Sequence, residues 1–438
     1  MALLLTFAYM AEKADEGRLK QPPHKSRPNF SSRRLAWRDI SLGVITVGNG
    51  RRMRLTLGLG SGLSQRPGDS KDTIWAIADR GPNLKVKTAI KRYGLEALRP
   101  LAKVDGAKIM PRPDIGPMIC KLKVTATKVM LIRQIPLRVA SGKALSGLPP
   151  SAADDVEPAF DLKGAALGID PSGADTEGIV ALSDGTFWIG DEYGPSLLHV
   201  GPEGQVLQRW VPKGLEKALN AAEYPVKGAL PTMASRRRIN RGFEALAISP
   251  DERWLYLAFQ SPLAHPNVAA FKNGQHVRIW KLDRATGAVV AQYLYPLDEP
   301  ASFQRDREAG EVEPSDVKVS EAAAIGKDRL LVLERISRTT KFYSVDLKDS
   351  TAVPDAHLSV QTRPTLEQLS ATGSFPQAVP VLAKTLVLNT DDAPELDRDL
   401  EGMVVLSPND LLLVNDNDFS VEGARTRFWR VRFKRKLF

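Results

Sequence analysis

The sequence predicts an all-β chain folded as a single β-propeller of four-stranded antiparallel blades. Three observations predict it. Five segments repeat the same hairpin, the acidic residues that open the last four lie 67–80 residues apart, and further alternating strands follow most of the hairpins. With 438 residues, 43% hydrophobic and 26% charged, the chain has a globular composition and is long enough for one large all-β domain.

The elements follow in order. Met1–Met10 is apolar but has no basic residues before it and no small-residue cleavage site after it, so it makes a poor signal peptide. Residues 1–35 are expected to be a flexible N-terminal arm or a degenerate export segment, and residues 36–438 the propeller domain. The five hairpins are LGLGSGLS…TIWAIADRGP (57–82), DTEGIVALSDGTFWIGDEYGP (175–195), RGFEALAISPDERWLYLAFQSP (241–262), VSEAAAIGKDRLLVLERIS (319–337) and DLEGMVVLSPNDLLLVNDNDF (399–419). Each joins two apolar strands through a turn of Ser, Pro, Asp, Gly or Asn. The fifth unit ends early at RFWRVRF, and WRDISLGVITV (37–47) is expected to supply its missing outer strand and close the ring. TAIKRYGLEALRPLAKV reads as a helix inserted in the first blade. Five blades are recognisable, while the loop-like stretches 139–172 and 350–380 leave room for a degenerate sixth.

Charge and composition exclude several functions. The net charge of +10 comes from the two ends, since residues 1–57 and 425–438 each carry +7 and the body between them carries −4. A nucleic-acid enzyme spreads basic residues over its binding face, so no nucleic-acid partner is expected. Basic outer strands also resist edge pairing, which explains both ends. The single cysteine, Cys120, excludes a disulfide framework, and the five histidines lack ligand spacing. No apolar run reaches the roughly 18 residues of a membrane span. There is no G-x-S-x-G elbow, phosphate-binding glycine loop or H-E-x-x-H motif.

The chemistry lies in acidic residues at the hairpin ends. Glu177, Glu244, Glu321 and Glu401 open the first strands, and Asp191-Glu192, Gln260, Glu334 and Asp416 close the second. Residues equidistant from a turn face each other across the ladder, so these pairs share one rim. The first strands of a propeller line its channel, which brings the acids together at one mouth. Close carboxylates repel unless they bind a cation or share protons, and an all-oxygen set suits Ca²⁺ or Mg²⁺. The alternative is that each Glu clasps backbone N–H groups of a neighbouring blade. Arginine follows the acid at Asp79-Arg80 and Glu334-Arg335, where it binds an anion or neutralises the rim. Arg236-Arg237-Arg238, ahead of Asn240, reads as a solvated loop.

In order along the chain, Gly60-Ser61-Gly62-Leu63, Ala78-Asp79-Arg80-Gly81, Asp175-Thr176-Glu177-Gly178, Asn240 to Ala247, Leu331 to Arg335, Glu401-Gly402 and Asp416 to Phe419 resemble the motifs of the phytase-like family, the "esterase-like activity of phytase" group. The resemblance runs from about residue 40 to the C-terminus. It implies a β-propeller, usually periplasmic or secreted, whose acidic residues serve hydrolysis of phosphate or other esters. The weak export segment and Gln260, which removes one acid, depart from the family pattern.

These readings combine into a monomeric hydrolase of small (phospho)esters, assisted by a divalent cation, expected to be Ca²⁺. Glu177, Glu244, Glu321 and Glu401 are the expected catalytic acids. Asp79, Asp191, Glu334 and Asp416 are the expected metal ligands, and Arg80, Arg335 and Asn240 the substrate-binding residues. A lactonase-type propeller and a binding propeller without chemistry are the alternatives.

Overall fold

The computed structural model of the chain describes residues 29–151, 157–347 and 352–437. Five antiparallel sheets follow one another; in blades 2, 3 and 4 the four ladder strands are consecutive in the chain, blade 1 carries an insertion between its second and third strands, and blade 5 borrows its outer strand. Blade 1 comprises Gly62–Ser64, Thr73–Ala78, Met118–Val124 and Val129–Pro136. Blade 2 comprises Thr176–Ala181, Phe187–Asp191, Ser196–Val200 and Val206–Pro212, with Val226–Leu230 added in parallel at its edge. Blade 3 runs through Phe243–Ile248, Trp254–Phe259, His276–Asp283 and Val289–Pro296. Blade 4 contains Lys318–Gly326, Arg329–Arg335, Thr340–Asp346 and Lys384–Asn389. Blade 5 takes three strands from the C-terminal end, Leu400–Ser407, Asp410–Asn415 and Phe428–Phe433, and its outer strand, Phe30–Leu35, from the other end of the chain.

The first strand of each blade packs against the first strands of its neighbours, and blade 5 packs against blade 1, so the five sheets close a ring. Alternation along these strands sends successive side chains into different interblade cores. Ile179 and Ala181 enter the core shared with blade 1, while Val180 and Leu182 enter the core shared with blade 3. A sixth four-stranded sheet is not found among the described residues. Among the described residues, 139–172 contributes one short strand, Ala159–Phe160, and 350–380 holds the short helix Leu366–Thr372.

The ring closes with a different segment from the one expected. Phe30–Leu35 pairs with the last strand, from Phe30 opposite Phe433 to Leu35 opposite Phe428. Phe30 packs against Phe433 with ring centroids 5.8 Å apart and planes tilted by 52°, and Leu35 is buried. Residues 30–35 are therefore strand, where an arm was expected, and residues 1–28 of that arm lie outside the described residues. The segment expected to close the ring instead folds back on itself. Ser41–Thr46 pairs with Arg52–Thr56 across a turn in which Asn49 has φ 57°. An Asn-Gly turn stabilises this local hairpin, which competes with pairing across the ring. The expected insertion in blade 1 is present as helix α1 (Val86–Tyr93), stopped by Gly94 at φ 69°, and a 3₁₀ segment Glu96–Lys103.

One irregularity recurs and governs the site. The first strands of blades 2 to 5 each carry a β-bulge near their start, between Thr176 and Ile179, Phe243 and Ala245, Val319 and Glu321, and Leu400 and Gly402. A bulge inserts one unpaired residue and re-aims its side chain. In blade 2 the small residue beside it is required by space: a Cβ on Gly178 would lie 2.7 Å from the Glu244 carbonyl oxygen and 2.8 Å from the Leu246 nitrogen. Gly178→Ala is expected to cost about 1–3 kcal/mol through this overlap, measured as a lower urea midpoint at unchanged m value.

Candidate functional site

The bulges turn Glu177, Glu244 and Glu401 toward the axis, and together with the strand ends they line a chamber of about 140 Å³. Counting from the bulges shows which residues are equivalent. The side chain three places on enters the core with the following blade in each case: Val180, Ala247, Ala323 and Val404. The corresponding bulge positions are Glu177, Glu244, Ser320 and Glu401, with Ser61 in the same place on blade 1. A second ring comes from the ends of the second strands: Asp79, Glu192, Gln260 and Asp416, just beyond the paired residues, and Arg335, the last paired residue of its strand. All of these except Ser320 line the chamber.

Three expected site residues are therefore misplaced by one position. Glu321 follows the bulge instead of occupying it. Its carboxylate accepts from the N–H groups of Leu63 (3.2 Å) and Ala322 (3.0 Å) and from the backbone of Met403. It ties blade 4 to blades 1 and 5 and is 1% exposed, so it is a clasp. Asp191 is spent on the Asp175 N–H (2.7 Å), Ser196 (2.6 Å) and Arg209 (2.5 Å). Glu334 accepts from Tyr295 (2.8 Å), the Asp298 N–H (2.8 Å) and Lys384 (2.7 Å). Neither Asp191 nor Glu334 lines the chamber. The alternation of each second strand turns these two inward and exposes Glu192 and Arg335 at the chamber instead.

Glu157 was not singled out in the sequence, and Asp175 and Glu192 were noted there without a role. Asp175 lies two residues before Glu177 and faces Glu192, whose N–H donates to the Asp175 carbonyl at 2.9 Å. Arg80 contacts Glu157 (2.6 Å) and Asp175 (3.0 Å) and donates to Asn240 (2.9 Å) and Tyr193 (3.2 Å). Arg80 is 5% exposed and surrounded by its own partners, so its guanidinium holds Asp175 and Asn240 in place.

The carboxylates form two overlapping groups. Single oxygens of Asp79, Asp175 and Glu177 lie within 4.8 Å of one another, and so do those of Glu177, Glu192 and Glu244. Glu244 is held by Gln260 (2.6 Å) and Ser320 (3.2 Å). Asp175 Oδ1 and Glu192 Oε1 are buried without a hydrogen-bond partner, and Asp175 Oδ2 has only its ion pair with Arg80. Burial, only partly offset by Arg80, pushes Asp79 up to about 6. Burial and the neighbouring Glu244 push Glu192 up to about 8. Asp175 and Glu177 are raised by the same desolvation and by each other's neighbours. Asp416 is also raised, by burial and by Asp418 and Asp79. An all-oxygen set with orphaned buried acceptors fits a hard divalent cation.

The opposite side of the chamber is basic. Arg335 donates to Ser320 (2.9 Å) and Asp399 (3.0 Å) and also contacts Glu401. Arg241 donates to Gln260 at 2.6 Å. Lys318 lies beside them, pushed down to about 7 by burial and by Arg335 and Arg241. The chamber opens into a mouth of about 510 Å³ lined by Asp399, Asp418, Lys85 and Ser337. Asp418, Phe419 and Ser420 take left-handed φ values of 45°, 51° and 59°. Asn417 supports this turn through its bonds to Leu57 (3.1 Å) and Thr426 (2.9 Å).

Residues 56–419 match the phytase-like family, described as esterase-like activity of phytase. An uncharacterized secreted protein of Arthroderma benhamiae is 30% identical over 225 residues, which cover 45% of this chain and 41% of that protein. The match thus spans about two-fifths of the relative's length. A calcium-binding regucalcin of Agrobacterium tumefaciens aligns with a TM-score of 0.33 at 12% identity, covering 86% of this chain and 92% of that one. A gluconolactonase of Xanthomonas campestris aligns at 0.29 and 9% identity, covering 72% and 68%. Among the described residues no helix is long and apolar enough to cross a membrane.

Two outcomes follow from this geometry. A carboxyl group whose pKa is raised by folding stabilises the protein while protonated, and that contribution is lost as pH rises through the folded value. In EDTA the melting temperature is therefore expected to fall as pH rises through about 6 and about 8, the positions of Asp79 and Glu192. Added Ca²⁺ should raise it by a margin that grows over the same interval, as read by differential scanning fluorimetry. Glu321→Ala should lower stability by about 1–3 kcal/mol in urea titrations yet retain Ca²⁺ binding by calorimetry.

Proposed function

The chain belongs to the phytase-like family, and we propose that it hydrolyses phosphoesters or related esters at this chamber with a divalent cation, Ca²⁺, in the acidic half. The observation that carries the reading is the division of one small chamber into a carboxylate half and a basic half. Asp79, Asp175, Glu177, Glu192 and Glu244 would hold the cation. When bound, it supplies charge neutralisation for the ester's oxygens and acidifies water.

The chain's own residues do the rest. Arg335, Lys318 and Arg241 bind the oxygens that gain charge as the ester is attacked. Arg80 is enclosed by Glu157, Asp175 and Tyr193, whereas Arg335 would exchange part of its ion pairing with Asp399 and Glu401 for the ester oxygens. Asn240, fixed by Arg80 at 2.9 Å, orients the substrate at the mouth. Glu177 accepts a hydrogen bond from the attacking water and orients it. Lys318, pushed down to about 7 by burial, donates a proton to the leaving alcohol oxygen. Glu321, Asp191 and Glu334 take no part, since each is fully engaged outside the chamber. Direct attack by water fits a chamber whose lining holds no histidine to activate Ser61 and whose other bulge serine, Ser320, is buried under Arg335.

The test is turnover of a chromogenic phosphoester, a carboxylic ester and a lactone, each with Ca²⁺ and with EDTA. Ca²⁺-dependent turnover is expected, and Glu177→Gln should reduce kcat by roughly 10²-fold or more with an unchanged circular dichroism spectrum. Turnover of the lactone alone would assign a lactonase. Ca²⁺ binding without any turnover would make the chamber a binding site.

A further inference from the structure

The rim of the mouth on the side of blades 1 and 5 carries a patch of cations that the chamber does not use. Helix α1 and its capping residue present Lys85, Lys87, Lys91 and Arg92 to solvent. The hairpin of Ser41–Thr46 and Arg52–Thr56 presents Arg51, Arg52 and Arg54. The two segments interlock. Arg51 donates to the carbonyls of Arg92 (2.7 Å) and Lys91 (3.3 Å) at the end of α1, and Met53 and Leu55 share one core with Val86, Ala89 and Tyr93. Lys85 and Thr88 line the mouth itself, so α1 borders the opening.

The fold does not spend this charge. Residues 40–68 and 83–95 contain no Asp or Glu, and among the described residues none of the seven cations forms an ion pair. By contrast, Arg430 and Arg432 of the last strand both contact Asp410. Lys85 and Lys87 stand at the start of α1, whose first turn holds no acid, and there the helix dipole disfavours a cation. The acids that line the mouth come from other elements, and Asp399 and Glu401 are paired with Arg335. The patch is a fixed positive field on one side of a body that carries −4 overall.

The side chains among the cations decide what this field fits. Val44, 44% exposed, stands opposite Arg54 on the outer face of the hairpin. Val104, 39% exposed, lies with Lys85 and Lys87 along the adjoining groove. Aliphatic tips between cations suit the boundary between lipid headgroups and acyl chains. Tyr93 is the one aromatic residue in the two segments and it is buried, so a nucleic acid would find no platform on which to stack its bases. We propose that α1 and the hairpin dock this chain on an anionic lipid surface through the headgroup phosphates, with the mouth of the chamber beside that surface. The proposal does not depend on the hydrolase reading.

Cosedimentation of the full chain with vesicles tests it, in Ca²⁺ and again in EDTA. Vesicles of phosphatidylglycerol and phosphatidylcholine in equal parts should bind the chain about tenfold or more strongly than phosphatidylcholine alone, and about 0.5 M NaCl should remove the difference. Lys87→Gln combined with Lys91→Gln should weaken binding roughly 20-fold, at about fivefold per charge. Both side chains are exposed, and thermal melting checks that the double variant is folded. An environment-sensitive fluorophore on Val44→Cys should brighten on the mixed vesicles, whereas one on Val290→Cys, in the outer strand of blade 3, should not; the native Cys120 is buried and escapes labelling. Equal binding to the two kinds of vesicle would overturn the proposal, as would a double variant that binds unchanged or a label at Val290 that responds as strongly as one at Val44. Binding to a single-stranded polynucleotide but not to the mixed vesicles would overturn it in favour of a nucleic-acid site.

Discussion

The structure depends on holding several carboxylates together in a small, dry chamber. Asp79, Asp175, Glu177, Glu192 and Glu244 converge because five strand ends meet on one axis, and each would separate from the others if its backbone allowed. Desolvation and mutual repulsion raise most of them. The fold resists this repulsion with the interblade cores, with Arg80 braced between Glu157 and Asp175, and with Gln260 and Ser320 on Glu244. A buried like-charge cluster costs stability wherever it stands, so its presence on the axis points to a ligand that offsets the cost.

The acids of this chain divide into two kinds by hydrogen bonding. Asp191, Glu321 and Glu334 have their oxygens filled by N–H groups, hydroxyls or cations, and they lock strands and blades together. Asp175 and Glu192 keep buried oxygens without hydrogen-bond partners. Sequence neighbours fall on opposite sides of this division, as Asp191 and Glu192 do. The clasp reading open at the sequence level is realised by the first kind, and the second kind keeps the free oxygens that the ligand reading requires.

The chamber also shows how a repeat diverges under one geometry. The bulge positions hold Ser61, Glu177, Glu244, Ser320 and Glu401, and the rim holds Asp79, Glu192, Gln260, Arg335 and Asp416. The backbone makes these ten places equivalent, and the side chains make them unequal. Blades 1 to 3 supply the carboxylate half, and Arg335 with Lys318 makes blade 4 basic. Charge separation on this scale comes from single substitutions at fixed points on a common frame.

The sequence alone determined the propeller, its repeated hairpins, the inserted helix and the family, because alternation and turn chemistry are local and survive in one dimension. It also located Glu177, Glu244, Glu401, Asp79 and Asp416 at the axis, since acids stood at the ends of apolar strands. Tertiary structure decided the rest. A bulge adds one residue to one strand and reverses which of two neighbours faces the channel, and nothing in the apolar pattern marks where that residue enters. Glu321 therefore read like Glu244, although Ser320 holds its place. Closure by Phe30–Leu35 was hidden for a related reason. Pairing between the two ends of a chain is set by the ring's geometry, while the competing Ser41–Thr46 hairpin is set by an adjacent turn.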